Sequence, residues 1–114
     1  MKINVYHAQR NRQTGDVESQ AHVAIVNMPS SITDQNEALE YAYRWTQNTM
    51  GSWSRNDIDD NQDYNPGFVK RIGALNKRGM GLRSSMMGDL FEIETAFGQS
   101  LHEVDMFGFK ELVE

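Results

Sequence analysis

Three histidines are the side chains of this sequence best suited to proton transfer or metal binding near neutral pH. They are His7, His22 and His102, and they lie far apart with no metal-ligand spacing. His7 and His22 would come together if the first two strands pair. Because a histidine on a strand is more often simply packed or exposed, the histidines by themselves do not indicate an active site.

Four carboxylates near the end of the chain could meet across a hairpin. They are Glu92, Glu94, Glu103 and Asp105. Paired carboxylates can perform acid–base chemistry. On exposed strand faces they are usually solvated charges that discourage edge-to-edge pairing. Since the sequence also has no phosphate-binding loop, nucleophile elbow or metal motif, we expect a protein without catalytic activity, cofactor or metal.

An acidic segment has the spacing of the first four ligands of a calcium-binding loop. The matching residues are Asp57, Asp59, Asn61 and Asp63. Calcium binds several hard oxygen ligands, which acidic residues two apart on a curved loop provide. However, Gln62 occupies the position that needs glycine, and Phe68 occupies the position of the bidentate glutamate. We therefore interpret this segment as a solvated acidic loop.

A basic stretch follows the acidic loop and is a candidate binding segment. Its cations are Lys70, Arg71, Lys77, Arg78 and Arg83. Such a stretch could follow a phosphate backbone, with Phe68 stacking on a base. It could instead contact a protein, or pair with the acids that precede it. The net charge of −5 would repel a polyanion, which favours a protein partner over nucleic acid.

A glycine–aspartate pair predicts a turn that leads into a strand. Gly88 can adopt a positive φ, and Asp89 can hydrogen-bond to nearby amides. This structural interpretation accounts for both residues. The functional alternative is that Arg83, Ser84 and Asp89 form a polar recognition patch.

The same segment carries a family resemblance. Arg83-Ser84 followed by Gly88-Asp89-Leu90 resembles the RS-x-S-V-G-D-V signature of a small phage and plasmid protein family related to the YodL-like group. The recognition patch draws its main support from this pattern.

Two other stretches are also similar to this family: residues 3–8 with 12–15 at the start, and residues 105–109 near the end. Met86 and Met87 stand where the family has serine and valine. The resemblance implies a setting rather than a reaction, namely an accessory protein in the cytoplasm of a bacterium that carries a phage or plasmid. We therefore expect a non-enzymatic protein that binds and modulates a host protein, such as a defence or housekeeping complex. Nucleic-acid binding through residues 68–83 is the alternative.

Composition fits this small binding protein. The 114 residues fit one domain, 1–114, with a modest core, and aromatic residues (10% of the chain) compensate for a low apolar share of 39%. The sequence has no cysteine, so disulfides and thiolate chemistry are excluded. No apolar run approaches the roughly 20 residues of a membrane span. We expect no membrane partner.

The elements that position these residues follow from hydrophobic periodicity. Alternating residues predict strands near 2–7, 21–27, 90–96 and 101–107, with a long, mobile loop between the first two. Asp34 and Glu37 predict the start of a helix over 35–50, which Gly51 would end. Its buried stripe comprises Ala38, Leu39, Ala42, Trp45, Thr46 and Thr49.

The long segment from about 51 to 83 has no clear periodicity. Serine, asparagine, aspartate and glycine dominate it, so we expect a flexible or irregular connection. The pattern as a whole predicts an α+β fold. Its antiparallel sheet comes from the N- and C-terminal hairpins, packs against one amphipathic helix, and is expected to be partly barrel-like in its C-terminal half.

Overall fold

The computed structural model describes residues 1–73 and 80–112, in which six strands form one sheet beside one helix. Neighbouring strands all pair antiparallel, in the order β3-β2-β1-β4-β5-β6. The predicted α+β class is therefore confirmed. The elements are β1 (Lys2–Arg10), β2 (Val17–Asn27), α1 (Gln35–Arg44), β3 (Val69–Arg71), β4 (Leu90–Thr95), β5 (Gly98–Asp105) and β6 (Gly108–Leu112).

The sheet is open rather than barrel-like, so that part of the prediction is wrong. Within the described residues, β3 and β6 each pair with a single neighbour and form the two edges. The C-terminal half extends the sheet because a two-residue turn at 106–107 folds β6 back along β5. Gly108 makes this possible with a φ of 100°, a value that favours glycine.

One face of the sheet carries the core. Ile3 and Val5 alternate with polar residues on β1 and are completely buried. Their partners across the sheet are Ala24 and Val26 on β2 and Phe91 and Ile93 on β4. The helix covers this face with Ala38, Leu39 and Ala42.

The helix begins as predicted but ends early. Asp34 caps it by accepting a hydrogen bond from the Glu37 amide at 3.1 Å. The chain leaves the helix at Trp45, which is the C-cap, so the predicted extension to residue 50 and the cap at Gly51 are wrong. The amides of residues 49–51 instead donate to the Asp63 carboxylate, a partner distant in sequence that periodicity cannot reveal.

The fully buried tryptophan is Trp53, not Trp45. Trp53 is 1% exposed and its indole N–H donates to the Arg83 carbonyl at 2.9 Å. Trp45 packs half-buried at the rim of the core, with the Arg44 guanidinium 4.3 Å from its ring centre. The irregular segment after α1 therefore contributes a large aromatic side chain to the core.

The first two strands form the predicted hairpin, but it is longer than expected. β2 begins at Val17, and the connecting residues 11–16 form a hydrogen-bonded turn rather than a long loop. Asn11 holds this turn because its side-chain oxygen accepts from the amides of Gln13 and Thr14. No helix within residues 1–73 and 80–112 has the length and apolarity needed to cross a membrane.

Candidate functional site

A buried polar cluster surrounds Asp89, where β1 ends and β4 begins. Asp89 is fully buried. Its carboxylate accepts hydrogen bonds from the two terminal guanidinium nitrogens of Arg83, both at 2.7 Å. It also accepts hydrogen bonds from the amides of Ala8 and Met86, both at 2.8 Å. Burial alone would raise the pKa of Asp89, but these donors outweigh it and hold the pKa below its ordinary value.

Of the predicted patch of Arg83, Ser84 and Asp89, the side chains of Arg83 and Asp89 contact each other, whereas the Ser84 hydroxyl bonds to a different segment. Arg83 also donates to the Ala8 carbonyl at 3.2 Å, and the Ser84 hydroxyl accepts from the Asn48 amide at 2.8 Å. The three side chains therefore join β1, the chain before β4 and the loop after α1. Each is occupied by contacts within the chain, and this arrangement fixes the turn at 86–89.

His7 lies beside this cluster in a chain of hydroxyl groups. Its Nε2 is 3.1 Å from the Ser85 hydroxyl, which is 2.7 Å from the Thr46 hydroxyl. The Thr46 hydroxyl donates a hydrogen bond to the Ala42 carbonyl at 2.8 Å. Ser85 must then donate to Thr46, which leaves His7 Nε2–H as the donor to Ser85. The histidine is therefore held in the Nε2–H tautomer.

This tautomer prevents His7 from activating Ser85. A catalytic histidine accepts the hydroxyl proton on one ring nitrogen and is oriented by a carboxylate on the other. Here the same Nε2 faces both Ser85 and Asp89, the latter at 3.8 Å. Ser85 is also only 2% exposed, so a substrate has no access to it. Burial lowers the pKa of His7 to about 4, so the ring is neutral at pH 7.

The segment with calcium-loop spacing is organised by hydrogen bonds of its own. Asp63 is buried and accepts the amides of residues 49–51 together with the Thr49 hydroxyl and Arg44. Burial would raise the pKa of Asp63, but these donors lower it to about 2. The Asn61 side chain bonds to the backbone of Ser52 and Arg55. The described residues contain no group of three or more metal-binding side chains.

The C-terminal carboxylates lie on strands of the sheet. Glu92 and Glu94 both accept from the Asn4 side chain, at 2.9 and 3.1 Å. Glu92, Glu94 and Glu103 share one face of the sheet, but Glu103 stands opposite Leu90, and Glu92 and Glu94 stand opposite Leu101 and Gln99, so no two of these carboxylates are directly paired. Asp105 is exposed at the end of β5 and accepts its neighbour's amide.

Lys70 and Arg71 occupy a different region from the Asp89 cluster, to which Arg83 belongs. Lys70 and Arg71 belong to edge strand β3 and line a pocket of about 390 Å³. Arg71 donates to the Ser54 carbonyl at 3.1 Å. Lys77 and Arg78, the other predicted binding residues, lie outside the described residues.

Exposed apolar side chains lie at one end of the sheet, a feature that hydrophobic periodicity does not predict. The turn between β5 and β6 presents Met106, 66% exposed, and Phe107, 93% exposed. The turn before β4 presents Met86 and Met87, each about half exposed. Hydrogen bonds between Val104 and residues 88 and 89 hold the two turns side by side. We call these four side chains the apolar end. The signal available in the sequence was two apolar pairs that each adjoin a glycine at a turn.

No protein-family model, no curated protein and no solved structure matches this chain. The chemistry of the site therefore rests on its own geometry: an internally satisfied polar cluster that supports an exposed apolar surface.

Proposed function

We propose that this chain is a non-enzymatic accessory protein that binds and modulates a host protein, and that the apolar end makes the contact. The observation that carries the proposal is the exposure of Met106 and Phe107 beside Met86 and Met87. Contiguous exposed apolar side chains are typical of interaction surfaces. Methionine adapts to a partner's shape, and an aromatic ring supplies a large anchor.

The Asp89 cluster supports this function as a scaffold. Asp89 accepts the Met86 amide, and the Met86 carbonyl accepts the Asp89 amide at 3.0 Å. The turn is therefore ordered before a partner arrives, which reduces the entropy lost on binding. The partner suited to this surface is a host protein with an apolar cleft that accepts the Phe107 ring.

The setting of the function comes from the family resemblance of the segment around Arg83 and Asp89. We propose that the protein is carried by a phage or plasmid and acts in the cytoplasm of the bacterial host. The proposal that the protein is not an enzyme is supported by two observations: Ser85 is buried, and His7 carries its proton on Nε2, the nitrogen that faces Ser85.

A matched pair of turns provides the test. Phe97 is 101% exposed in the turn between β4 and β5, at the opposite end of the sheet. The parent, a Met106→Ser/Phe107→Ser variant and a Phe97→Ser control would each be immobilised and exposed to host lysate. A partner enriched by the parent would then be purified and its affinity for all three proteins measured.

We expect the control to retain the parent's affinity and the Met106→Ser/Phe107→Ser variant to lose at least about tenfold, or about 1.4 kcal/mol. Equal affinity of all three proteins for the purified partner would reject the apolar end as the contact. The nucleic-acid alternative predicts salt-dependent binding that weakens when Lys77 and Arg78 are neutralised. Sub-micromolar nucleic-acid binding with that behaviour at physiological salt would replace our proposal.

A further inference from the structure

Three of the four side chains of the apolar end are methionine thioethers. Met86 and Met87 are 49% and 47% exposed, and Met106 is 66% exposed. They come from two separate turns that hydrogen bonds to Val104 hold side by side. The chain has no cysteine, so its methionines are the side chains open to reversible two-electron oxidation. Susceptibility to an oxidant follows exposure, which makes the apolar end a concentrated target.

Oxidation of these sulfurs would leave the two turns in place. The Met86 amide donates to the Asp89 carboxylate, and the Met86 carbonyl accepts from the Asp89 amide. On the second turn, the Met106 amide donates to the Asp105 carboxylate at 2.8 Å. These bonds use the main chain of each methionine rather than its thioether. An oxygen atom added to sulfur therefore alters the surface and not the fold that presents it.

The added oxygen reverses the property that suits this surface to binding. Methionine is a flexible apolar side chain, whereas its sulfoxide is polar. A partner that covers a sulfoxide must remove water from the S–O group, which costs free energy unless a new hydrogen bond replaces that water. The apolar cleft of the proposed partner supplies no such bond. Oxidation should therefore weaken the complex.

We propose that Met86, Met87 and Met106 form a reversible oxidation switch that releases the partner from the apolar end, an inference that rests on the proposed function. The oxidant is hydrogen peroxide. Its O–O bond breaks, one oxygen atom bonds to the sulfur, which loses two electrons, and the other oxygen leaves as water. A thiol-dependent sulfoxide reductase restores the surface: the sulfoxide oxygen leaves as water while two thiols are oxidised to a disulfide.

Variants that keep an apolar surface without sulfur separate this switch from general oxidation. Met86→Leu/Met87→Leu/Met106→Leu is the main variant, since leucine and methionine are similar in volume. Met50→Leu is the matched control, because Met50 is 79% exposed but lies in the loop held by Asp63, outside the apolar end. Met106→Leu alone, at the most exposed of the three positions, serves as a second variant if the triple change affects folding.

The full chain and its variants would be treated with hydrogen peroxide, and peptide mass spectrometry would follow the oxidation of each methionine. We expect the methionines of the apolar end to react before Met28, which packs against the core. Retention on a phenyl resin would measure the apolarity of the surface without any partner. Circular dichroism would check the fold, and affinity for the purified partner would measure the switch.

We expect peroxide to shorten the retention of the parent and of Met50→Leu and to weaken their binding to the partner by about tenfold or more. The triple leucine variant should keep both properties, and Met106→Leu should lose less than the parent. An oxidised parent that keeps its retention or its affinity, or an equal loss in the triple variant, would overturn the switch and leave the contact standing. Loss of the circular-dichroism signal would also overturn it, in favour of oxidative damage. Equal affinity of the untreated parent and the Met106→Ser/Phe107→Ser variant would reject the contact itself, and the switch with it.

Discussion

Arg83 and Asp89 face each other across the turn that joins them, with each of the two terminal guanidinium nitrogens 2.7 Å from a carboxylate oxygen. Arg83 is partly in solvent, whereas Asp89 is completely buried. The same carboxylate also accepts the amides of Ala8 and Met86. One buried side chain therefore connects the end of β1 to the turn that presents half of the apolar end.

Replacing Asp89 with asparagine should destabilise the fold by roughly 3 kcal/mol, because a buried pair that loses one charge leaves its partners uncompensated. The new amide group would also place a donor against the donors of Arg83 or Met86. Urea denaturation would measure the change. Asp59→Asn is the control, since Asp59 is exposed; an equally small effect in both variants would show that Asp89 is not a structural centre.

Acid should destabilise the protein in two steps. Burial lowers the pKa of His7 to about 4, below the value near 6.5 in an unfolded chain. The unfolded state then binds more protons between these values, so stability is complete above pH 6.5 and falls toward pH 4. Below pH 4, stability falls again because the buried carboxylates of Asp63 and Asp89 become protonated. The pKa of Asp63 is about 2 in the folded protein, and the pKa of Asp89 is also lowered.

The first step can be assigned with a His7→Gln variant. His7 alone contributes a slope of at most about 1.4 kcal/mol per pH unit. The pKa of His102 is also lowered by burial, against the opposing influence of Glu111, so some slope should remain. Unfolding free energies measured between pH 7 and pH 4 should therefore depend less on pH in the variant. An unchanged slope would contradict a neutral His7 in the folded protein.

Replacing each tryptophan with alanine should cost more stability in the core, at Trp53, than at its rim, at Trp45. Trp53→Ala should cost roughly 3–5 kcal/mol, as large buried aromatic residues do, because it also removes the bond from the indole to Arg83. Trp45→Ala should cost less, since Trp45 is only half-buried. Phe97→Ala, at a fully exposed position, should be close to neutral. Denaturant unfolding of the three variants would check this order, and a larger loss at Trp45 would reverse the assignment.

The hairpins and the start of the helix could be predicted from sequence because their signals are local. Ile3 and Val5 alternate along β1, and Asp34 caps the helix three residues before Glu37. The end of the helix depends on Asp63, which lies far along the chain. Its carboxylate accepts hydrogen bonds from the amides of residues 49–51. Periodicity carries no information about such a partner, so the helix was predicted six residues too long.

The site was only partly predictable for the same reason. The signature residues Arg83, Ser84 and Asp89 were identified, but their inward contacts with Ala8 and Asn48 arise from tertiary packing. The alternation of β1 already placed His7 on the face of Ile3 and Val5. Its hydroxyl partners Ser85 and Thr46 come from separate segments, and their contact depends on how these segments pack.

The conformation of Gly88 gives the final prediction. Gly88 has a φ of 93°, where a side chain is strained, and an added Cβ would lie 2.5 Å from an Arg10 nitrogen. Arg10 donates a hydrogen bond to the Gly15 carbonyl at 2.9 Å, which restricts its movement away from the added Cβ. Gly88→Ala should therefore destabilise the protein by about 1–2 kcal/mol from backbone strain alone.

A glycine of the opposite kind provides the comparison for this change. An added Cβ at Gly67 would meet no atom within 4 Å, and its φ is not in the strained positive range. Gly67→Ala should leave stability unchanged or raise it slightly, because alanine has less freedom in the unfolded chain. Thermal unfolding of both variants would decide the matter. If the two melt together, the turn at 86–89 does not need a glycine, and the ordered presentation of Met86 and Met87 loses its conformational basis.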